Sequence, residues 1–420
     1  MKIIIKNIKE LVQVEETPKT KVCGKEMADI NTIKDAFLLI NNGLIEDFGE
    51  MKTIANKEKL FKNKDTTIID ATNKMVFPSF CDSHTHLVYA GSREIEYIDK
   101  IEGLSYEEIA KRGGGILSSA KNLHHTSEEE LIEQALPRLK EIIAYGTGAV
   151  EIKSGYGLTV EDELKMLRVI KKLKSLSPLT IKATFLGAHA VPLKYKGKQN
   201  EYVDLIINEM IPAVAYEELA DYIDVFCDKG FFSIEDTERI LTAGMKYGLR
   251  PKIHANELDY SGGVQIGVKY NALSVDHLEF TGVDEIETLL NSETMPTVLP
   301  GAAFFLGMVY APVRKMMNAG LPIALASDFN PGSSPSGNMQ FILSLACIKY
   351  KMTPEEAINA TTINGAYAMG LSEELGSIAK GKIANVFISK PIPTYQFMPY
   401  AYGSNKVETV LLNGKVVSFD

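Results

Sequence analysis

The sequence predicts an α/β fold: a (β/α)8 barrel of the TIM type, with a small discontinuous β-sandwich built from both ends of the chain. Three observations carry this. Strand-like apolar segments alternate eight times with stretches of helical period through the middle of the chain. The two ends are β-rich and show no strong helical pattern. Five of the seven histidines in 420 residues close strand-like segments at their C-terminal tips, where parallel strands closed into a barrel bring side chains together. A doubly wound open sheet is the competing architecture; the count of eight and the order of the polar tips favour closure.

In chain order, residues 1–75 hold short β-rich runs such as KIIIKNI and GLIEDFG and form the first part of the sandwich. Barrel strands are expected near 76–82, 148–153, 181–187, 222–227, 251–254, 273–277, 296–299 and 322–327, within a barrel domain of residues 76–375. A helix over 128–145 starts at Ser127 as N-cap, with Glu130 completing a capping box and Gly146 ending it. A second helix, 353–369, has Thr353 as cap, Pro354 at the first helical position and Gly370 as its stop. Residues 376–420 return to β character, with Asn413-Gly414 as a hairpin turn, and complete the sandwich.

Composition narrows the class. Hydrophobic content of 45% and charged content of 24% are those of a soluble globular protein. A net charge of −9 with no basic block argues against nucleic acid as partner. The N-terminal MKIIIKNIKE interrupts its apolar run with charge too early for a signal peptide, and the four cysteines show no C-x-x-C spacing. Reduced thiols and a cytoplasmic location are the reading. The uncharged stretch 294–313 is long enough to span a membrane, but its prolines and glycines point to a buried strand followed by a packed loop. The run Arg112-Gly-Gly-Gly-Ile lacks the Lys-Ser/Thr of a phosphate loop, and His124-His125 are read as surface or loop residues.

The polar tips carry the chemistry. His84 and His86 end MVFPSFCDSHTH, His189 ends IKATFLGAH, His254 ends PKIH, His277 ends LSVDH, and Asp328 ends PIALASD. Converging imidazoles and a carboxylate suit zinc or iron(II) and leave a coordination position for water. A bound metal lowers that water's pKa toward ~7.

These segments resemble the metal-dependent amidohydrolase superfamily over essentially the whole chain. The resemblance implies metal ligands His84, His86, His254 and Asp328, with His277 beside the metal. Binuclear relatives carry a modified lysine at the end of the fourth strand; here YIDVFCDKG places Lys229 in the following turn, so one divalent ion per subunit, zinc or iron, is expected. The segments VEIKSGYG, FLGAHAVP, LPGAAFFL, SDFNPGSSP and YQFMPYAYGSNKVETVLLNGKVV are similar to the imidazolonepropionase family. That likeness implies hydrolysis of 4-imidazolone-5-propanoate to N-formimidoyl-L-glutamate in histidine degradation. A substrate with a carboxylate tail needs a cation, and Arg93 supplies a guanidinium suited to it. Tyr156, His189, Glu257, Asn330, Gly332 and Ser333 match the family's other substrate or product positions. Asp328 would accept the water's proton, His277 would steady developing charge, and Glu257 would share the proton relay. Attack at the amidine-like carbon or at the lactam carbonyl both remain open. A homodimer is implied by the family. A ring deaminase on the same barrel and a catalytically dead barrel used as a scaffold are the competing readings; Arg93 with Ser333 disfavours the first, and the complete ligand set the second.

Overall fold

In a computed structural model of the chain, residues 1–57, 66–104, 108 and 114–418 are described. Arg112 and Gly113 of the glycine run fall outside them. The chain opens with an antiparallel meander, β1 (Lys2–Val12), β2 (Thr32–Asn41) and β3 (Leu44–Glu50). Two short strands, β4 (Thr66–Asp70) and β5 (Met75–Pro78), then pair parallel with the two halves of β1. Eight strands follow as one parallel sheet in sequence order: β6 (Phe80–Thr85), β7 (Thr147–Lys153), β8 (Thr180–Ala188), β9 (Tyr222–Cys227), β10 (Arg250–Ala255), β11 (Ser274–His277), β12 (Met295–Val298) and β13 (Ala324–Leu325). Finally β14 (Val386–Ser389) pairs with β5, and β15 (Val407–Leu412) and β16 (Lys415–Val416) extend that sheet.

The parallel sheet closes into a barrel where its last and first strands meet. Asp328 N donates to His84 O at 3.0 Å, His86 N donates to Phe329 O at 2.9 Å, and Ser327 N donates to Asp82 Oδ1 at 2.9 Å. Strand alternation sorts the residues. Val150, Ile152, Ile223, Val225, Ile253 and Val275 join the apolar core shared with the outer helices. The intervening positions, Glu151, Lys153, Asp224, Lys252, His254 and Asp276, meet one another inside the barrel. The terminal sheet folds back on itself: Ile45 N donates to Lys382 O at 2.9 Å and Ala384 N to Gly43 O at 2.8 Å. Ile3, Ile5, Leu38, Ile40, Val386 and Leu411 fill its own separate core.

Some expected elements differ in detail. The strand expected at 76–82 is two strands. Met75–Pro78 pairs with β1 and β14 in the terminal sheet, and the barrel starts at Phe80, whose N–H donates to Gly146 O. The strand expected at 322–327 keeps only Ala324–Leu325 in ladder pairing; beyond it the chain bonds directly to β6. The expected packed loop after β12 is a short helix, Pro300–Leu306, with left-handed Gly307 as its C-cap. The helix expected over 353–369 starts at Thr353 with the capping box, but breaks at Thr362, whose hydroxyl donates to Ile358 O or Gln13 Oε1, before Ile363–Ala368 resumes. The helix Glu128–Ala144 carries the Ser127–Glu130 box. No helix among the described residues is long and apolar enough to cross a membrane.

Candidate active site

The strand tips converge as expected. His84, at the end of β6, donates through Nδ1 to Asp276 Oδ2 at 2.6 Å, which leaves its Nε2 lone pair facing inward. That Nε2 is buried with no hydrogen-bond partner among the described residues. His254, near the end of β10, has Nδ1 3.0 Å from Asp224 Oδ2. Its Nε2 stands 3.4 Å from His86 Nε2, and Asp328 Oδ1 lies 3.6 Å from the Nε2 atoms of both His84 and His86. Two nitrogens bound to one tetrahedral zinc at ~2.0–2.1 Å stand about 3.3 Å apart. The spacing of these buried acceptors therefore fits a shared cation, and His84, His86 and His254 form a buried group that could hold a metal ion among the described residues. Burial holds the pKa of His84 and His86 well below the usual range, so both imidazoles are neutral.

Beneath the cluster lies a dry layer of charge. Lys153 Nζ is 2.5 Å from Glu151, 2.9 Å from Asp224 and 3.8 Å from Asp276. Lys252 bonds Glu151 and donates to Ser83 O at 2.9 Å. Two ammonium groups thus face three carboxylates, two of which, Asp276 and Asp224, lie against His84 and His254. Carboxylates behind metal-binding imidazoles set tautomer and ring orientation. These five residues and Asp328 together carry a formal excess of two negative charges.

The backbone bends to aim these groups. His277 and Leu278 have φ of 86° and 71°, and Asp328 has φ 53°, all in the left-handed region that costs a non-glycine residue energy. His277 lies beside the cluster, its ring 5.3 Å from that of His254, with Glu257 Oε2 3.7 Å from its Nδ1. Burial first, then the carboxylate of Asp328, lifts Glu257 to about 8; burial also lifts Asp328 to about 6. A bound dication opposes both shifts.

His86, His254, His277, Asp328, Arg93, Tyr156, His189, Glu257, Asn330, Gly332 and Ser333 all line one cavity of about 840 Å³, with His84 behind it. His189 donates through Nδ1 to Gly155 O at 3.0 Å and stacks on His86 at 5.1 Å. Gly155 has φ +110°, and a Cβ there would sit 2.8 Å from His189 Nδ1, so glycine is required. Tyr156 rides on a loop held by buried Glu163, whose carboxylate accepts from Gly155 N, Gly157 N and Leu158 N at 2.7–3.1 Å. Asn330 holds the next loop: its Oδ1 accepts from Gly332 N and Ser333 N, both at 2.8 Å, while Nδ2 donates to Asp328 O at 2.7 Å. Ser333 Oγ lies 3.2 Å from Asp328 Oδ2. The Arg93 guanidinium lies against Gly332, where a Cβ would come within 2.1 Å of Nη1, and it is paired with Glu96.

Lys229 points away, three-quarters exposed and 2.7 Å from Asp259. His124 and His125 sit at a helix end on the surface, His124 beside Asp162. The four cysteines are free thiols. The charge layer, Glu96, Lys100 and the aromatic wall of Phe226, Phe231, Phe304 and Phe305 were not singled out from the sequence. The layer leaves a trace there: charges at alternate positions of otherwise apolar strands, as in VEIK and YIDVF, need buried partners.

Comparison with known proteins gives the family. A profile of the amidohydrolase family matches residues 250–417. The imidazolonepropionase of Flavobacterium johnsoniae is 60% identical over 414 residues, covering 99% of both chains. That of Christiangramia forsetii is 59% identical over 417 residues, covering 99% of this chain and 100% of its own. Among solved structures, E. coli guanine deaminase superposes with a TM-score of 0.73 at 14% identity over 100% of this chain and 99% of its own, a likeness of fold alone.

Proposed function

Because the chain belongs to the imidazolonepropionase family of amidohydrolases, we propose that it hydrolyses 4-imidazolone-5-propanoate to N-formimidoyl-L-glutamate, a step of histidine degradation. The single observation that carries the reading is one cavity lined by the histidine–aspartate cluster at one part and by Arg93 with the 330–333 loop at another. A ring with an acid tail needs both.

The product decides which bond breaks. The formimidoyl carbon keeps both of its nitrogens, so water adds to the lactam carbonyl and the bond from that carbonyl to ring nitrogen opens. The new C–O bond becomes a carboxylate, and the departing nitrogen takes a proton. We assign His84, His86, His254 and Asp328 to one divalent ion, zinc or iron(II), per subunit; when bound, it supplies Lewis acidity and lowers the pKa of water. Asp328 takes the proton of the attacking water and, with Glu257, returns it to the leaving nitrogen. His277 sits where it can steady charge growing on the carbonyl oxygen. Tyr156, kept protonated by burial, and Nε2 of His189, whose Nδ1 is bound to Gly155 O, offer a donor and an acceptor to the ring. Arg93 takes the carboxylate tail, with Ser333 beside it. A cytoplasmic location and a homodimer accompany this reading, in keeping with the family.

Product analysis in oxygen-18 water tests it. The label should enter a new carboxylate of N-formimidoyl-L-glutamate. Release of ammonia, or a formylated product, would contradict the assignment.

A further inference from the structure

Arg93 does not bring a free positive charge to the pocket. Its Nε donates to Glu96 Oε2 at 2.8 Å and its Nη2 to the same oxygen at 2.5 Å, so the pair is formally neutral. Both side chains are mostly buried, so water screens that pairing little. An anionic tail entering such a site would lose its hydration without meeting net opposite charge, and burying a charge that way is costly.

A second cation stands one turn further along the same helix face. Lys100 lies on Glu94–Ile101, four residues beyond Glu96, and lines the cavity. Its Nζ donates to Gly332 O at 3.2 Å, on the loop that the Arg93 guanidinium touches, and lies 5.7 Å from the centre of the Phe305 ring. No carboxylate pairs with it among the described residues. A half-buried ammonium with one carbonyl and one aromatic face for company still has donors to offer. Burial and the neighbouring Arg93 both disfavour its charge, while Glu96 supports it. An anion shared by Arg93 and Lys100 removes that repulsion.

We propose that Lys100 is the second cation of the tail subsite and supplies the net positive charge by which the pocket selects a carboxylate over a neutral tail of the same shape. The inference rests on the proposed substrate class and adds to it a specificity-determining residue. Lys100 orients and attracts; the reacting ring lies with the histidine cluster.

The test compares 4-imidazolone-5-propanoate with its tail amide, using wild-type protein, Lys100→Met and Lys100→Arg. Loss of a charge-assisted bond of this kind weakens binding about ten- to a hundred-fold. Lys100→Met should therefore raise KM for the acid by that factor, leave kcat close to wild type, and leave KM for the amide unchanged. Lys100→Arg should restore most of the discrimination. An unchanged KM for the acid, or equal losses with acid and amide, would overturn the role. Wild-type protein that hydrolyses neither compound would overturn the functional reading and this inference with it, an outcome distinct from a selective failure at Lys100.

Discussion

Asp328 leaves the end of the barrel in a left-handed conformation that an aspartate adopts only when its surroundings hold it there. Asn330 bonds its carbonyl, His84 accepts from its N–H, and Ser333 reaches its carboxylate. The residue is thus aimed twice, by backbone and by side-chain contacts, toward the histidine cluster. Asp328→Asn keeps the size and most of these bonds but removes the proton acceptor. Turnover should fall by about 10²–10⁴-fold, with a melting temperature near wild type in the metal-free protein. Near-normal turnover would remove Asp328 from the proton relay.

At the scale of elements, two loops that line the cavity are each held by a buried polar residue, Glu163 for one and Asn330 for the other. Glu163 accepts three backbone N–H groups of the 155–158 loop from the first turns of the following helix. Glu163→Ala leaves those donors unpaired, at a cost of about 1–3 kcal/mol for a buried group. The expected outcome is a lower denaturant midpoint together with a raised KM, since Tyr156 and His189 both rest on that loop; a change in stability alone would separate the loop from substrate binding. The barrel strands and the histidine tips were legible in the sequence because period-two apolar runs and isolated histidines are local signals. The break at Thr362 and the split at Pro78 were not, because each depends on a partner far along the chain, Gln13 for one and the β1 and β14 ladders for the other. Glu96 and Lys100 were hidden for a related reason: in REIEYIDK they read as a solvated helical face, and only the approach of the 330–333 loop makes that face a pocket wall.

Across the whole molecule, the barrel is organised around charge rather than around the branched apolar layers usual in such interiors. Glu151, Lys153, Asp224, Lys252 and Asp276 come from four strands and cross the barrel to meet, so the layer ties strand positions to histidine orientation. Removing one partner of a buried pair leaves an uncompensated charge. Lys153→Met should lower stability by about 3–5 kcal/mol, read from urea unfolding, and should weaken metal retention measured by chelator titration; full stability would mean that the layer relaxes or protonates without penalty. Metal-dependent hydrolysis of one ring acid is tested by following the ultraviolet absorbance of freshly made 4-imidazolone-5-propanoate with metal-loaded protein, with and without a chelator. The expected result is loss well above spontaneous decay, abolished by the chelator and restored by added zinc or iron(II). No acceleration by metal-loaded protein, or acceleration that survives complete metal removal, would contradict it.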